Sequence, residues 1–295
     1  MTGGHVVGAL DIGGTHVSAA RVDIASAAVD PRSRISERLP TRGGRPELVA
    51  AVSRVTRSIA ESGIAVLGVA VPGPFDYSTG VSEMTHKLAG LRGVDLRSEL
   101  LAASELHDPA AIRFLNDAEA FLLGEWWAGA ARGHGRAVGV TLGTGLGSAF
   151  GVEGELVRSG DVVPPHGELY RLSFRGAPVE ETISRAALLG AYGARPEEDV
   201  DVEQVAERAA AGKGDARRVF EDLGIALGQF LTPWVQAFRP GCVVVGGSIA
   251  RSWALFGDVL RSELAQASDV ATVTVAEQIE DAPLLGAAFY AADRR

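Results

Sequence analysis

Residues 137–150 read AVGVTLGTGLGSAF, an apolar run followed by a glycine-rich turn. Three of the five residues from Gly143 to Gly147 are glycine. Because glycine has no Cβ, several backbone N–H groups of such a turn can point toward one phosphate, and Thr144 adds a hydroxyl donor. Strand-like residues follow, so the stretch predicts two strands joined by a glycine turn. A tight hairpin and a phosphate site both fit this pattern.

A second stretch near the N-terminus repeats the pattern. Residues 6–10 form an apolar run, residues 11–15 read DIGGT, and strand-like residues continue to Val22. An ordinary hairpin has no need of Asp11, whereas an acidic residue beside a phosphate-binding turn suits Mg²⁺ or its water ligands. The two stretches together predict a duplicated strand–turn–strand unit that binds one nucleotide from two sides.

The composition limits the class of protein. The chain has 295 residues, of which 46% are hydrophobic and 22% charged, as in an ordinary globular protein. The formal net charge of −9 argues against nucleic acid or an anionic membrane as a partner. Without a leader-like N-terminus or an apolar run of membrane length, we expect a cytoplasmic enzyme. The single cysteine, Cys242, lies among apolar residues and predicts a buried thiol, with no internal disulfide.

The remaining pattern alternates strands with helices. Apolar spacing predicts helices at 46–61, 117–128, 179–190, 201–211, 215–238, 248–267 and 283–293. Short apolar runs predict buried strands at 64–71, 111–115, 242–245 and 270–275, and residues 77–95 are predicted to form a loop. We therefore expect two lobes, residues 1–117 joined by the C-terminal helix 283–295 and residues 118–282. The glycine turns of both lobes are expected to face a shared cleft.

Asp117 carries the sharpest chemical hypothesis. It follows a predicted strand, stands beside Asn116 and begins a helix. Either residue would serve as a helix N-cap. Near two phosphate-binding turns, Asp117 would instead accept the proton of a substrate hydroxyl that attacks phosphorus, while Asn116 would hydrogen-bond a neighbouring hydroxyl. The sequence leaves both interpretations open.

An irregular segment rich in proline and glycine spans residues 159–178. Glu168 lies within it, and Glu180 follows it at a predicted helix start. Carboxylates can accept hydrogen bonds from adjacent sugar hydroxyls, although a first-turn acid such as Glu180 is also favoured by the helix dipole. His166 is either a structural or solvated histidine or a donor to a sugar hydroxyl.

A third glycine turn follows a later apolar strand. Residues 246–248 read GGS between a strand and a predicted helix. A helix N-terminus at Gly247 would pack on an adenosine or its α-phosphate. A close-packed turn with no ligand explains the same residues equally well.

In order and spacing, these motifs resemble those of the ROK family of repressors and sugar kinases over nearly the whole chain. The resemblance implies an α/β, two-lobed, actin-like (ribonuclease-H-like) ATPase fold with duplicated mixed-sheet halves and a cleft between them. It makes Asp117 the general base, and it implies ATP and Mg²⁺, the metal lying near Asp11. The residues implied to bind ATP and its phosphates are Asp11, Gly13, Gly14, Thr15, Gly143, Thr144, Gly145 and Gly247. With the resemblance, the residues expected to bind substrate are Gly73, Asn116, Asp117, Glu168 and Glu180, and His166 is added because it lies near Glu168 in the sequence.

The chain departs from the family pattern in the sugar-reading segment. Many members carry Gly-Glu-Ile-Gly-His followed by a zinc-binding cysteine cluster, whereas residues 167–171 read GELYR here. Glu168 is kept, and Arg171 stands where the histidine would be. Residues 173–178 replace the cysteines, so we expect no zinc. Arg171 can pair with a carboxylate in place of the lost metal-bound histidine.

We therefore expect an ATP-dependent kinase that phosphorylates a hexose or amino-hexose at the 6-hydroxyl, with glucose or an aminoglucose such as kanosamine as substrate. The two retained carboxylates predict that a cationic amino-hexose is used at least as well as glucose. One alternative is a sugar-responsive regulator of the same family, although a first strand at Val6 leaves no room for a DNA-binding domain. Another is a polyphosphate-dependent glucokinase, although we find no long basic stretch. The resemblance also implies a homodimer.

Overall fold

The computed structural model describes residues 6–41, 43–60, 63–85, 88–194, 200–270 and 272–293. The contacts of the chain divide it into two compact units, Met1–Gly129 with Asp281–Arg295, and Ala130–Glu280. Each unit is an α/β structure built on one mixed sheet.

Strands and helices alternate along the described residues. The strands are Val6–Ile12 (β1), His16–Asp23 (β2), Ala28–Val29 (β3), Ile35–Arg38 (β4), Leu67–Val71 (β5), Phe75–Asp76 (β6), Val81–Ser82 (β7), Ile112–Asn116 (β8), Arg136–Leu142 (β9), Leu146–Val152 (β10), Glu155–Leu156 (β11), Ser173–Phe174 (β12), Ala177–Pro178 (β13), Cys242–Gly246 (β14) and Thr272–Val275 (β15). The helices are Arg45–Ala60 (α1), Leu96–Ala102 (α2), Asp117–Ala128 (α3), Arg185–Tyr192 (α4), Val202–Ala210 (α5), Gly214–Phe238 (α6), Trp253–Ala267 (α7) and Ala282–Asp293 (α8).

The sheet of the first unit brings three predicted motifs to one edge. Its strands lie in the order β3-β2-β1-β5-β8, with β4 beside β2. The β1–β2 pair is antiparallel, whereas β1, β5 and β8 run parallel. Asp11 lies opposite Ala70, and Val71 lies opposite Asn116. The turns that follow these three parallel strands therefore lie side by side, because the strands end at the same edge.

The sheet of the second unit repeats this topology. Its order is β11-β10-β9-β14-β15, in which β9 and β10 form an antiparallel hairpin and β9, β14 and β15 run parallel. Thr141 lies opposite Gly246, so the glycine turn after β9 lies beside the turn after β14. The predicted duplication of mixed-sheet halves is confirmed.

Helix α3 packs so closely on α8 that only glycine fits at two contacts. A Cβ atom at Gly124 would collide with the carbonyl oxygen of Ala282, and one at Gly286 would collide with that of Ala120. The ring centres of Trp127 and Phe289 lie 5.3 Å apart in the same interface. This packing places α3 in the first unit. The boundary expected from the sequence, between residues 117 and 118, placed most of α3 in the second lobe.

Three local predictions differ from the structure. The helix expected at 179–190 is a 3₁₀ turn, Val179–Glu181, followed by α4, which begins only after Ser184. The helix expected from residue 248 begins at Trp253, after a 3₁₀ segment from Ser248. Helix α2 was not predicted, although Asp95, which accepts a hydrogen bond from the Ser98 N–H, is an N-cap signal.

The buried residues include those that the sequence predicted to be buried. Helix α1 buries Leu48, Val52, Val55 and Ile59, the apolar face expected from their spacing, and Cys242 is buried as predicted. Among the helices that the structure describes, every one is too short or too polar to cross a membrane.

Candidate active site

In the first unit, the turn after β1 is closed by the backbone. The Gly13 N–H donates to the carbonyl oxygen of His16 at 2.8 Å. Gly13 and Gly14 are partly exposed, and Thr15 is exposed, with its hydroxyl 3.0 Å from Nδ1 of His16. The DIGGT segment is thus a tight turn with its small residues at the surface of this unit, where a phosphate could reach them.

Asp11, at the end of β1, lies in an unfavourable electrostatic setting for a carboxylate. Burial, followed by the charge of Asp117, raises its pKa from 3.8 to about 7, and the charge of Arg34 partly opposes this shift. Arg34 is held by an ion pair of 2.9 Å from its Nε to Oδ1 of Asp281. Asp11 and Asp117 therefore act on each other, and a cation between them would stabilise the ionised form of both.

The acidic pair suits a magnesium ion that arrives with a nucleotide. Mg²⁺ is usually held by one or two carboxylates together with substrate phosphates, and Asp11 and Asp117 provide two carboxylates. Within the ranges described above, no group of three or more His, Cys, Asp or Glu side chains could hold a metal ion by itself.

Asn116 and Asp117 both contact the backbone at the start of α3. Asn116 is the N-cap of α3, since its Oδ1 accepts a hydrogen bond of 2.9 Å from the Ala118 N–H. Its Nδ2 donates to the hydroxyl of Tyr77 at 3.1 Å, and that hydroxyl donates to the carbonyl oxygen of Val71 at 3.2 Å. Asp117 is the first residue of the helix and is partly buried. Oδ1 of Asp117 accepts from the same Ala118 N–H at 2.9 Å, so Asn116 is the N-cap and Asp117 shares its hydrogen bond. No motif in the sequence marked Tyr77.

Gly73 lies in the turn after β5, beside the end of β8. The turn is anchored on the core by Phe75, whose ring centre lies 5.3 Å from that of Tyr77 and 5.1 Å from that of Phe114. The peptide bond between Gly73 and Pro74 is cis. Gly73, Asn116 and Asp117 are therefore brought to the edge at which Asp11 lies.

In the second unit, two glycine turns meet. A Cβ atom at Gly143 would lie 3.4 Å from the Ser248 hydroxyl, and a Cβ at Gly247 would collide with the backbone of Leu142. Gly247 also has a φ of +83°, a conformation that favours glycine. The Gly143 N–H donates to the carbonyl oxygen of Gly145, and Thr144 is exposed at the tip. The structure brings these predicted nucleotide-binding residues together and adds Ser248 as a nearby hydroxyl.

The segment that carries Glu168 is fixed to β10 by one buried hydroxyl. The Oγ of Ser148, which is 6% exposed, donates to the Gly167 carbonyl oxygen at 2.6 Å and accepts from the Leu169 N–H at 2.9 Å. Ser148 directly follows the glycine turn in the sequence, where no pattern predicted this role. Its two hydrogen bonds set the position of Glu168 between them.

Glu168 and Arg171 form an ion pair, so the predicted pairing of Arg171 with a carboxylate is confirmed. Burial and the charges of Glu168 and Glu180 raise the pKa of the Tyr170 phenol, while Arg171 opposes this shift. The phenol of Tyr170 thus lies close enough to both predicted sugar-binding carboxylates to respond to their charge.

Glu180 and His166 lie in different environments. Oε1 of Glu180 accepts a hydrogen bond of 2.9 Å from the Leu146 N–H, so Glu180 belongs to a 3₁₀ turn that contacts the glycine turn. The interpretation of Glu180 as an exposed first-turn acid of a helix is wrong. His166 is exposed in a left-handed conformation, with a φ of 60°. His86 and Lys87, which follow the proline–glycine turn in the sequence, lie outside the described residues.

Comparisons with known proteins show what the chain is similar to. Residues 7–294 match the protein-family model described as ROK family. The chain is 26% identical to a glucokinase of Thermotoga maritima, over 95% of each chain. It is 31% identical to an N-acetyl-D-glucosamine kinase of Haemophilus influenzae, over 52% of this chain and 48% of that protein.

A solved structure shows the fold. The structure of a ROK family glucokinase from Streptomyces griseus, in complex with glucose and AMPPNP, matches with a TM-score of 0.80. The match covers 97% of this chain and 98% of that chain at 22% identity. The expected actin-like ATPase fold is confirmed.

Proposed function

The chain belongs to the ROK family, and from this premise we propose that it transfers the γ-phosphoryl group of ATP to the 6-hydroxyl of a hexose or an amino-hexose. The chain is a sugar kinase, as its full-length similarity to a glucokinase indicates. Its partial similarity to an amino-sugar kinase supports the wider substrate range. Glucose and an aminoglucose such as kanosamine are the first substrates to test.

The proposal rests on the position of Asp11 and Asp117 at the same edge of one sheet, where the charge of Asp117 acts on Asp11. Two ionised carboxylates that act on each other repel, which destabilises the folded protein unless a cation or a proton compensates the charge. Such pairs are typical of catalytic sites. Asn116 is the helix N-cap, and Asp117 shares the Ala118 N–H with it through one oxygen. An ionised carboxylate can accept several hydrogen bonds, so this contact is compatible with a second role for Asp117. We assign Asp117 as the general base that accepts the proton of the attacking hydroxyl.

Asp11 is assigned to the magnesium ion that accompanies ATP. The ion, when bound, neutralises charge on the phosphates. The DIGGT turn offers Gly13, Gly14 and Thr15 to the phosphates from the first unit. In the second unit, the residues proposed to bind the phosphates are Gly143, Thr144 and Gly145. Gly247 is proposed to contact the adenosine. The turns after β9 and β14 lie side by side, which places Gly247 next to the turn proposed to bind phosphate and supports this assignment.

Each unit has its own residues that we assign to sugar. In the first unit, the residues proposed to bind sugar are Gly73, Asn116 and Asp117. In the second unit, they are His166, Glu168 and Glu180. The buried hydroxyl of Ser148, which fixes the segment around Glu168, supports this assignment because sugar recognition needs carboxylates held in place. From the family resemblance alone we also propose a homodimer, which light scattering on the purified protein would test.

A phosphoryl-transfer screen tests the proposed function. Purified protein is incubated with Mg²⁺, a panel of hexoses and amino-hexoses, and either ATP or polyphosphate, and the sugar product is analysed for the position of the phosphate. We expect a 6-phosphate with ATP as the donor. Turnover only with polyphosphate would favour the polyphosphate-dependent kinase. Sugar binding without turnover by either donor would favour the regulator.

A further inference from the structure

We propose that Arg171 sets the charge of the sugar-binding pocket, so that the position served by Glu168 accepts a neutral sugar substituent and disfavours an ammonium group. The proposal rests on the proposed function, since the role of Glu168 toward sugar comes from it. It deepens that function by naming the charge class of the substrate.

The carboxylate of Glu168 is already compensated by a cation of the chain. Nε of Arg171 donates to Oε2 of Glu168 in an ion pair. The side chain of Glu168 is 16% exposed, whereas that of Arg171 is 49% exposed. The guanidinium therefore lies on the more open side of a carboxylate that is largely buried.

The pair is held in place from several directions. The guanidinium carbon of Arg171 lies 5.3 Å from the ring centre of Tyr170, a cation–π distance. Ser148 fixes the backbone on both sides of Glu168 through Gly167 and Leu169. The Leu172 carbonyl oxygen accepts from the Val179 N–H at 3.0 Å, which closes the segment after Arg171. These contacts fix the backbone of the segment, and the ion pair and the ring of Tyr170 place the positive charge of Arg171 beside Glu168.

A protonated amino-sugar would meet this charge. An ammonium group that approaches Glu168 would compete with a guanidinium for the same carboxylate and would be repelled by it. The second carboxylate, Glu180, already uses one oxygen to accept from the Leu146 N–H. A neutral hydroxyl or an N-acyl group suffers no such repulsion. The preference for a cationic amino-hexose that followed from two carboxylates thus rests on Glu180 alone, because Arg171 compensates the charge of Glu168.

The chain offers a matched control in the same segment. Arg175 also stacks on an aromatic ring, with its guanidinium carbon 4.8 Å from the ring centre of Phe174. Its Nη2 donates to Oε1 of Gln229 on α6 at 2.8 Å. Removing the charge of Arg175 changes the net charge of the segment by the same amount without touching Glu168.

The experiment compares kcat/KM for glucose, N-acetylglucosamine and protonated glucosamine in the wild type, Arg171→Gln and Arg175→Gln, each checked for folding by thermal melting. We expect the wild type to prefer the neutral sugars. In Arg171→Gln, kcat/KM for glucosamine relative to glucose should rise about tenfold, because a like charge is removed. In Arg175→Gln the ratio should stay at the wild-type value.

Separate outcomes test the inference and the proposed function. An unchanged ratio in a folded, active Arg171→Gln would overturn the inference and leave the proposed function intact. A wild type that uses protonated glucosamine at least as well as glucose would do the same, even if the variant did not fold. Failure of the wild type to phosphorylate any sugar would instead overturn the proposed function.

Discussion

Oε1 of Glu180 accepts a hydrogen bond of 2.9 Å from the backbone N–H of Leu146. Leu146 is the residue at which the chain leaves the second glycine turn and enters β10. A carboxylate proposed to bind sugar thus also fixes the end of a turn proposed to bind phosphate. Its two oxygens allow both tasks, because an ionised carboxylate can accept several hydrogen bonds.

Replacements of Glu180 should separate these two tasks. Glu180→Gln keeps an oxygen acceptor for Leu146 and loses the charge, so KM for sugar should rise while KM for ATP stays constant. Glu180→Ala leaves the Leu146 N–H without its partner, which costs about 1–3 kcal/mol if the group stays buried, and KM for ATP should rise as well. Steady-state kinetics with each substrate varied in turn check this, with exposed Glu181→Ala as the control. An unchanged KM for ATP in Glu180→Ala would contradict the double role.

Asp117→Asn should abolish turnover while the fold and nucleotide binding survive. The loss of a general base costs about 10²–10⁴ in rate, and the helix cap at Asn116 remains intact. Turnover, thermal melting and calorimetric binding of an ATP analogue are the measurements. Wild-type turnover in the variant would mean that the base lies elsewhere.

Asp11→Asn should stabilise the ligand-free protein at neutral and alkaline pH. The pKa of Asp11 is raised from 3.8 to about 7 in the folded state, by burial above all. Between these values the folded state binds more protons than the unfolded state, so stability falls as the pH rises through this window. A pKa shift of one unit corresponds to about 1.4 kcal/mol, and we expect the substitution to recover part of the total. At about pH 8 the free energy of unfolding of the variant should exceed that of the wild type by about 1–3 kcal/mol. At about pH 5 the difference should be smaller. Urea unfolding at both pH values tests this, and equal midpoints for variant and wild type at about pH 8 would refute it.

Tyr77→Phe should remove a hydrogen bond that holds the side chain of Asn116 in position. The change removes the hydroxyl that Asn116 Nδ2 reaches at 3.1 Å and that donates to the Val71 carbonyl oxygen. We expect a loss of about 1 kcal/mol in the free energy of unfolding and a higher KM for sugar, with KM for ATP unchanged. The ring packing on Phe75 is retained in phenylalanine. Wild-type values for both stability and sugar KM would show that this hydroxyl does not position Asn116.

Chelators should leave the melting temperature unchanged. The segment that replaces the family's cysteine cluster is held by protein groups, with the ring centres of Phe174 and Phe230 5.5 Å apart and Arg175 bonded to Gln229. Melting with and without a chelator, together with elemental analysis of the purified protein, is the measurement. Stoichiometric zinc, or a lower melting temperature after chelation, would contradict this prediction.

Much of the fold could be predicted because its signals are local. The apolar runs and glycine turns around Asp11 and Gly143 depend on neighbouring residues, and the structure has strand–turn–strand units at both places. Element boundaries were less predictable. The 3₁₀ turn at Val179–Glu181 lies where apolar spacing favoured a helix. The helix begins only after Ser184, whose side chain accepts from the Ala187 N–H as its N-cap.

By itself, the sequence determined the order of the strands, turns and helices, the family resemblance and the positions of Asp11, Asp117 and Glu168 in it. These follow from short-range properties, namely glycine flexibility, apolar periodicity and motif spacing. Only the tertiary structure decided that Asn116 caps α3, that α3 belongs with α8 in the first unit, and that Glu180 bonds to a residue 34 positions away. Such relationships depend on how distant parts of the chain pack together, which no local pattern records.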